Sequence, residues 1–145
     1  PPIVYYERTT TGYQPNGDIV CMLDKSGYLS PKHMYYSLFH ELSHSTGHAS
    51  RLSREGIINA DLHDKHSYGY EELIAEISAS FLLNAAGIDH LEQNAAYCAS
   101  WLKIFKGDPK MIIKAASEAE KSANYILGER VEAIAPIAES SVTAQ

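Results

Sequence analysis

Cysteine is scarce in this chain: Cys21 and Cys98 are the two present, far apart in the sequence. That spacing excludes a disulfide framework and a paired-cysteine metal site, and it suits buried thiols in a reducing compartment. Basic residues are also thin, with 12 Lys and Arg against 18 Asp and Glu and a formal net charge of −6. A nucleic-acid surface normally shows a basic stripe, so direct nucleic-acid binding is not expected. The acidic excess is not dense either: its longest run is the pair Glu71-Glu72, which argues against mimicry of DNA. No apolar run reaches the roughly 18 residues of a membrane span and no signal peptide is visible, so no membrane partner is expected and a cytoplasmic location is. The chain opens Pro1-Pro2 without Met, the mark of a processed or excised piece of something longer.

What is present reads as one domain. The length of 145 residues, with 45% hydrophobic and 21% charged residues, is enough to bury a core without disulfides or a structural metal. A metal here would serve chemistry rather than folding. Residues 1–128 carry the periodic patterns. Residues 129–145 turn to Ala, Glu and Ser with Pro136 and read as a flexible tail.

The predicted elements are α+β: a small N-terminal sheet, then helices. Ile3 to Glu7 and Asp18 to Leu23 read as strands, rich in β-branched and aromatic residues. Between them, Thr9 to Gly12 and Gln14-Pro15-Asn16-Gly17 have turn chemistry. Ser30-Pro31 is a helix start, an N-cap hydroxyl followed by proline at the first helical position. That helix runs to about Thr46, with Gly47 suited to its C-terminal cap and Met34, Leu38 and Leu42 as its core stripe. Residues 48–67 form a long polar loop. A second helix, from about Tyr70 to Ala86, is apolar almost all round after Glu76 and so is expected to be buried. A third covers Glu92 to Phe105. A fourth starts at the Asp108 cap with Pro109 and ends at Gly128, one side lined by Ile112, Ala116, Ala119, Ala123 and Ile126.

The sharpest feature is His40-Glu41-Leu42-Ser43-His44. Residues four apart on a helix sit one turn above each other, so two imidazoles can share one metal ion while Glu41 reaches the water beside it. Chance gives this pattern about 0.03 times in a chain of this composition. Catalytic zinc usually takes three protein ligands and keeps one position open. The candidates for the third are Glu71, Glu72, Glu76, His48, His63 and His66. Glu72 and Glu76 lie on one side of a helix otherwise too apolar to bury carboxylates without partners. Glu72 is the preferred ligand, and Glu76 would accept a hydrogen bond from a ligand histidine. Glu71 also suits the negative charge favoured at a helix start, and His48 suits the C-terminal end of the first helix. A longer motif, with a third histidine six residues after the second, fails because that position is Ser50. Tyr68 is the first candidate to donate to an oxyanion, and Tyr70 the second.

The stretches HELSHSTGH (40–48), YGYEELIAEISASFLL (68–83) and NAAYCASWLKIFKGDPKMIIKAASEAEKSANYILG (94–128) resemble one family. It is the zincin-like metallopeptidase domain found at the C-terminus of ArdC-type antirestriction proteins of bacterial mobile elements. The resemblance covers about Tyr5 to Gly128 and implies a zincin-like fold with Zn2+ as cofactor. It makes His40 and His44 ligands and Glu41 the catalytic base. It takes the third ligand from residues 71–76, where the gluzincin pattern points to Glu72. Family members often carry an N-terminal single-stranded-DNA-binding domain, so a DNA role would lie outside this chain. The implied activity is hydrolysis of a protein or peptide substrate, with a substrate strand adding to the edge of residues 18–23. Two alternatives compete with it. One is a non-catalytic zincin-fold module that occupies a restriction enzyme or shields DNA. The other is a hydrolase of a non-peptide bond.

Overall fold

The computed structural model describes residues 1–59, 65–89, 92–106 and 108–128. The expected tail, 129–145, and His63 lie outside the described residues.

Among the described residues three strands form one sheet: β1 (Ile3–Arg8), β2 (Gly12–Gln14) and β3 (Ile19–Leu23), in the order β1-β3-β2. β1 runs parallel to β3 and β2 antiparallel to it, with Tyr13 opposite Val20. Val20 and Met22 of β3 are fully buried, as befits the middle strand. The expectation that residues 18–23 offer an edge is therefore corrected. β3 is paired on both sides; β1 and β2 are the edge strands, and β2 is too short to show a period-two pattern in sequence. Between β2 and β3 a tight turn ends at Asp18, whose φ of 51° is left-handed.

Among the described residues five α-helices follow: α1 (Pro31–Ser45), α2 (Glu55–Ile58), α3 (Lys65–Ala85), α4 (Glu92–Leu102) and α5 (Pro109–Leu127). The architecture is α+β, as expected. The Ser30 hydroxyl accepts from the His33 N–H at the start of α1, and the Asp108 carboxylate accepts from the Met111 N–H at the start of α5. Gly128 closes α5 in the left-handed conformation that only glycine adopts without strain.

Gly47 has a different reason from the one expected. The helix ends at Thr46 in right-handed conformation, and Gly47 has no positive φ. A Cβ there would lie 2.5 Å from Ile57 Cγ1 and 3.1 Å from Arg54 Cζ. Glycine is needed for close approach, not for a cap. The stripe of Met34, Leu38 and Leu42 is likewise only half-buried. The side of α1 that is most enclosed carries Tyr36, Ser43 and His44, because α1 packs on α3 through polar groups.

α3 is the central helix, packed against α1, α4 and α5. It begins at Lys65, upstream of the expected start at Tyr70. It is largely buried, as expected, through Leu73, Ile74, Ala79, Leu82 and Leu83, but not all round: Phe81 is exposed, and Glu71 and Glu76 are buried with the apolar residues. One apolar cluster joins Leu73 and Ile74 of α3 to Phe105, Ala115 and Ala119, and another joins Ala79 and Leu83 to Tyr36. Small residues at 115, 119, 122 and 123 of α5 are the buried ones. They let α5 lie close to α3 and leave Ile112 and Ile126 half-covered. Among the described residues no helix is long and apolar enough to cross a membrane.

Candidate metal centre

α1 and α3 face each other so that the imidazoles of one meet the carboxylates of the other. His40 Nε2 lies 3.0 Å from His44 Nε2. Glu72 reaches both, with Oε2 3.4 Å from His40 Nε2 and Oε1 3.2 Å from His44 Nε2. Each residue of the trio offers one donor atom, and the three atoms lie within 4.8 Å of one another. A four-coordinate zinc with bonds of about 2.0–2.2 Å puts neighbouring donors about 3.3–3.5 Å apart, so this donor set fits a divalent cation.

The far side of each ring supports the same fit. Both Nδ1 atoms are buried without a well-aligned hydrogen bond, and a carboxylate faces each. Glu76 Oε1 is 3.3 Å from His40 Nδ1, and Glu71 Oε1 is 3.7 Å from His44 Nδ1. An imidazole whose Nε2 holds a metal carries its proton on Nδ1, and a carboxylate is the usual group to receive it. Glu76 in turn accepts from the Tyr36 hydroxyl at 2.6–2.7 Å. Glu71 accepts from Arg54, whose Nε is 3.1 Å from both carboxylate oxygens and whose Nη2 also binds Oε1.

Electrostatics follow the geometry. Burial opposes the charge on both histidines, but the adjacent carboxylates outweigh it. Glu72 and Glu76 push His40 up to about 9, and Glu71 and Glu72 push His44 up to about 10. Conversely, burial would raise the Glu72 carboxyl, yet the two imidazoles hold it well below its ordinary range. The Glu71 carboxyl is depressed in the same way by His44 and Arg54, against its burial.

Glu41 lies in the same cleft, a space of about 680 Å³ lined also by His40, His44, Glu72, Tyr68, Lys65 and Thr11–Tyr13. β2 is therefore the strand that borders the cleft. The loop after α1 keeps it there. Arg51 donates to the Ser45 carbonyl at the end of α1 and pairs with Asp18 at the end of the β2–β3 turn. The Arg51 hydrogen bonds hold the Asp18 carboxyl down to about 2. Tyr68 stands at the rim, half-exposed, with its ring edge-on to Trp101 at 5.6 Å. Burial, and then the charge and hydrogen bond of Glu72 and the charge of Glu41, raise its hydroxyl pKa.

The remaining candidates stand elsewhere. The Tyr70 ring packs edge-on to Phe105 and the residue lines a separate cavity of about 560 Å³, so Tyr70 is not an oxyanion donor to the cleft. The His66 ring packs edge-on to Phe105 and lines that same cavity. His48 Nδ1 bonds the Ser50 hydroxyl at 2.8 Å and is not part of the donor cluster. Sequence reasoning missed Arg54. Its signal was weak: one arginine in a polar loop, flanked by Gly47 and Gly56.

A family model described as a zincin-like metallopeptidase (MPTase-PolyVal) matches residues 3–118. The chain is 40% identical over 122 residues to a DNA primase TraC of Escherichia coli, covering 83% of this chain and 11% of that protein. The Mn(II)-bound crystal structure of antirestriction protein ArdC from plasmid R388 superposes with a TM-score of 0.73 and 36% identity, over 88% of this chain and 47% of that one. The metal-free ArdC structure matches with a TM-score of 0.68 and 35% identity, over 89% of this chain and 48% of that one. The chain thus spans about a tenth of the TraC primase and under half of ArdC.

Proposed function

The chain belongs to the zincin-like metallopeptidase family, and from that premise we propose that it hydrolyses peptide bonds at a divalent metal held by His40, His44 and Glu72. One observation carries the reading: three donor atoms from two helices converge in a cleft that also contains Glu41 and borders a sheet edge. When bound, a cation such as zinc supplies Lewis acidity and brings the pKa of water down to about 7. Glu41 takes the proton of the attacking water and returns it to the leaving amine. The Tyr68 hydroxyl donates to the oxyanion as the carbonyl becomes tetrahedral. Glu76 and Glu71 hold the two imidazole rings by their Nδ1 sides. A substrate strand adds to the open edge of β2, where main-chain hydrogen bonds fix its register against Glu41.

Zn2+ is the metal proposed, from the donor set of two imidazoles and one carboxylate. Mn(II) in the related ArdC makes it the second metal to try. The substrate is a protein or peptide, and this domain does not itself bind nucleic acid. The free thiols Cys21 and Cys98 suit the bacterial cytoplasm, where a mobile-element antirestriction protein would work.

The test is metal content by mass spectrometry together with cleavage of a peptide library by the wild type and by Glu41→Gln. We expect one equivalent of metal in both and cleavage by the wild type alone. Equal cleavage by the two rejects the role of Glu41. A second reading has its own support. The relatives are named for antirestriction and DNA priming rather than for proteolysis, which favours a non-catalytic module that occupies a restriction enzyme. No cleavage by the metal-loaded wild type, with partner binding retained in Glu41→Gln, selects that reading.

A further inference from the structure

Arg54 is 7% exposed and every arm of its guanidinium is engaged. Nε and Nη2 hold Glu71. Nη1 donates to Thr46 Oγ1 at 2.7 Å, and Nη2 donates to the Ser43 carbonyl at 2.9 Å. Ser43 and Thr46 flank His44 at the end of α1, and Glu71 precedes Glu72 on α3. One planar fork therefore ties together the two helices that supply the metal donors, on the Nδ1 side of His44.

The surroundings are shaped around this fork. A Cβ on Gly47 would lie 3.1 Å from Arg54 Cζ, and a Cβ on Gly56 would lie 2.8 Å from Glu71 Oε2. Two glycines thus close over the ion pair where no side chain fits. The loop carrying Arg54 is pinned to the end of α1 by Leu52 N–H to the Thr46 carbonyl at 2.8 Å and Arg54 N–H to the Gly47 carbonyl at 3.0 Å. Ser53 between them takes a left-handed φ of 53°, a strained conformation for serine that this pinning sustains. Glu71 Oε1 faces His44 Nδ1 at 3.7 Å as a charge contact, while the hydrogen bonds that fix the carboxylate itself come from Arg54.

We infer that Arg54 is a positioning residue for the metal: its guanidinium fixes the Glu71 carboxylate behind His44 and so sets the direction in which His44 presents Nε2. It touches neither substrate nor metal. A guanidinium suits the task because its planar fork meets a carboxylate in two places at once, which a lysine ammonium does not. The inference rests on His40, His44 and Glu72 being the metal donors.

The experiment measures Mn2+ affinity by calorimetry on the whole chain, at a temperature where circular dichroism shows each variant fully folded. Arg54→Gln and Glu71→Gln should each weaken Mn2+ binding about 10–100-fold. The double variant should bind no more weakly than Glu71→Gln alone, since Arg54 acts through Glu71. Arg54→Lys, which keeps the charge and loses the fork, should also bind more weakly than the wild type. Phe105→Leu, in the apolar cluster between α3 and α5, should lose stability yet bind Mn2+ as the wild type does. Wild-type affinity in Arg54→Gln, or losses that multiply fully in the double variant, overturn the inference. Should Arg54→Gln fail to fold, wild-type affinity in Arg54→Lys overturns it instead. If the wild type binds neither Mn2+ nor Zn2+, the donor assignment falls and the role of Arg54 with it.

Discussion

His40 rests on Glu76 and, behind that carboxylate, on the hydroxyl of Tyr36; His44 rests on Glu71 and, behind it, on the guanidinium of Arg54. Both arms place a buried carboxylate against the Nδ1 side of an imidazole, and they differ in what supports the carboxylate. Tyr36 sits on α1, one turn before His40, so the first arm is complete once α1 and α3 meet. Arg54 comes from the loop beyond α1, so the second arm also needs that loop to fold back over Gly47. A neutral hydroxyl does not itself balance the charge of Glu76, which faces His40. A guanidinium balances the charge of Glu71 directly and welds the loop to the helices. The lesson is that equivalent ligands can be held at unequal cost: one arm adds a hydrogen bond, the other a buried ion pair.

The comparison breaks first on stability. Removing one partner of a buried ion pair leaves an uncompensated charge and typically costs about 3–5 kcal/mol. Arg54→Gln should show a loss of that size in urea unfolding with chelator present, and Arg54→Gln/Glu71→Gln should recover part of it. A loss below about 1 kcal/mol would mean that the pair behaves as a surface bridge and the arms are alike.

Next comes pH. Both imidazoles are raised above the value near 6.5 of an unfolded histidine, His40 to about 9 and His44 to about 10. A raised pKa stabilises the fold fully below about 6.5 and loses that contribution as pH climbs through the folded values. The two Nε2 atoms are 3.0 Å apart, so the two rings titrate as a coupled pair. Metal-free protein should therefore lose stability as pH rises from about 6.5 through the raised values. Metal binding displaces the imidazole protons, so affinity for Zn2+ should rise with pH over the same range. Calorimetry in buffers of different ionisation enthalpy counts the protons released. Imidazole NMR titration of metal-free protein sharpens the comparison, because both rings should stay protonated above the ordinary histidine range.

The smallest effect belongs to the other arm. Tyr36→Phe removes one hydroxyl donor to Glu76 and should cost about 1–3 kcal/mol in the same unfolding experiment. A loss equal to that of Arg54→Gln would erase the asymmetry.

How much of this could be read beforehand differs from residue to residue. His40, Glu41 and His44 are legible because a single helix spaces them, and helical spacing needs no knowledge of any other element. Glu72 and Glu76 could be singled out because two carboxylates four apart on an apolar helix demand partners. The caps at Ser30, Asp108 and Gly128 were visible for the same local reason. β2 was not, since three residues carry no usable period. Glu71 looked like a residue suited to a helix start, because nothing in the chain says that α3 begins at Lys65 and leaves position 71 inside it. Gly47 was taken for a cap because a glycine after a helix most often is one. The need for close packing shows only when Ile57 and Arg54 are seen against it.

By itself the sequence determined the chemistry of each helix: which one carries the imidazoles, which the carboxylates, and that a divalent metal suits the pair. Tertiary structure alone decided that Glu71 stands behind His44, which strand borders the cleft, and that Arg54 supports the centre from behind. The division has one cause. Turn geometry and helical period act between neighbours along the chain, whereas the distances among His44, Glu71 and Arg54 exist only after separate segments have packed against one another.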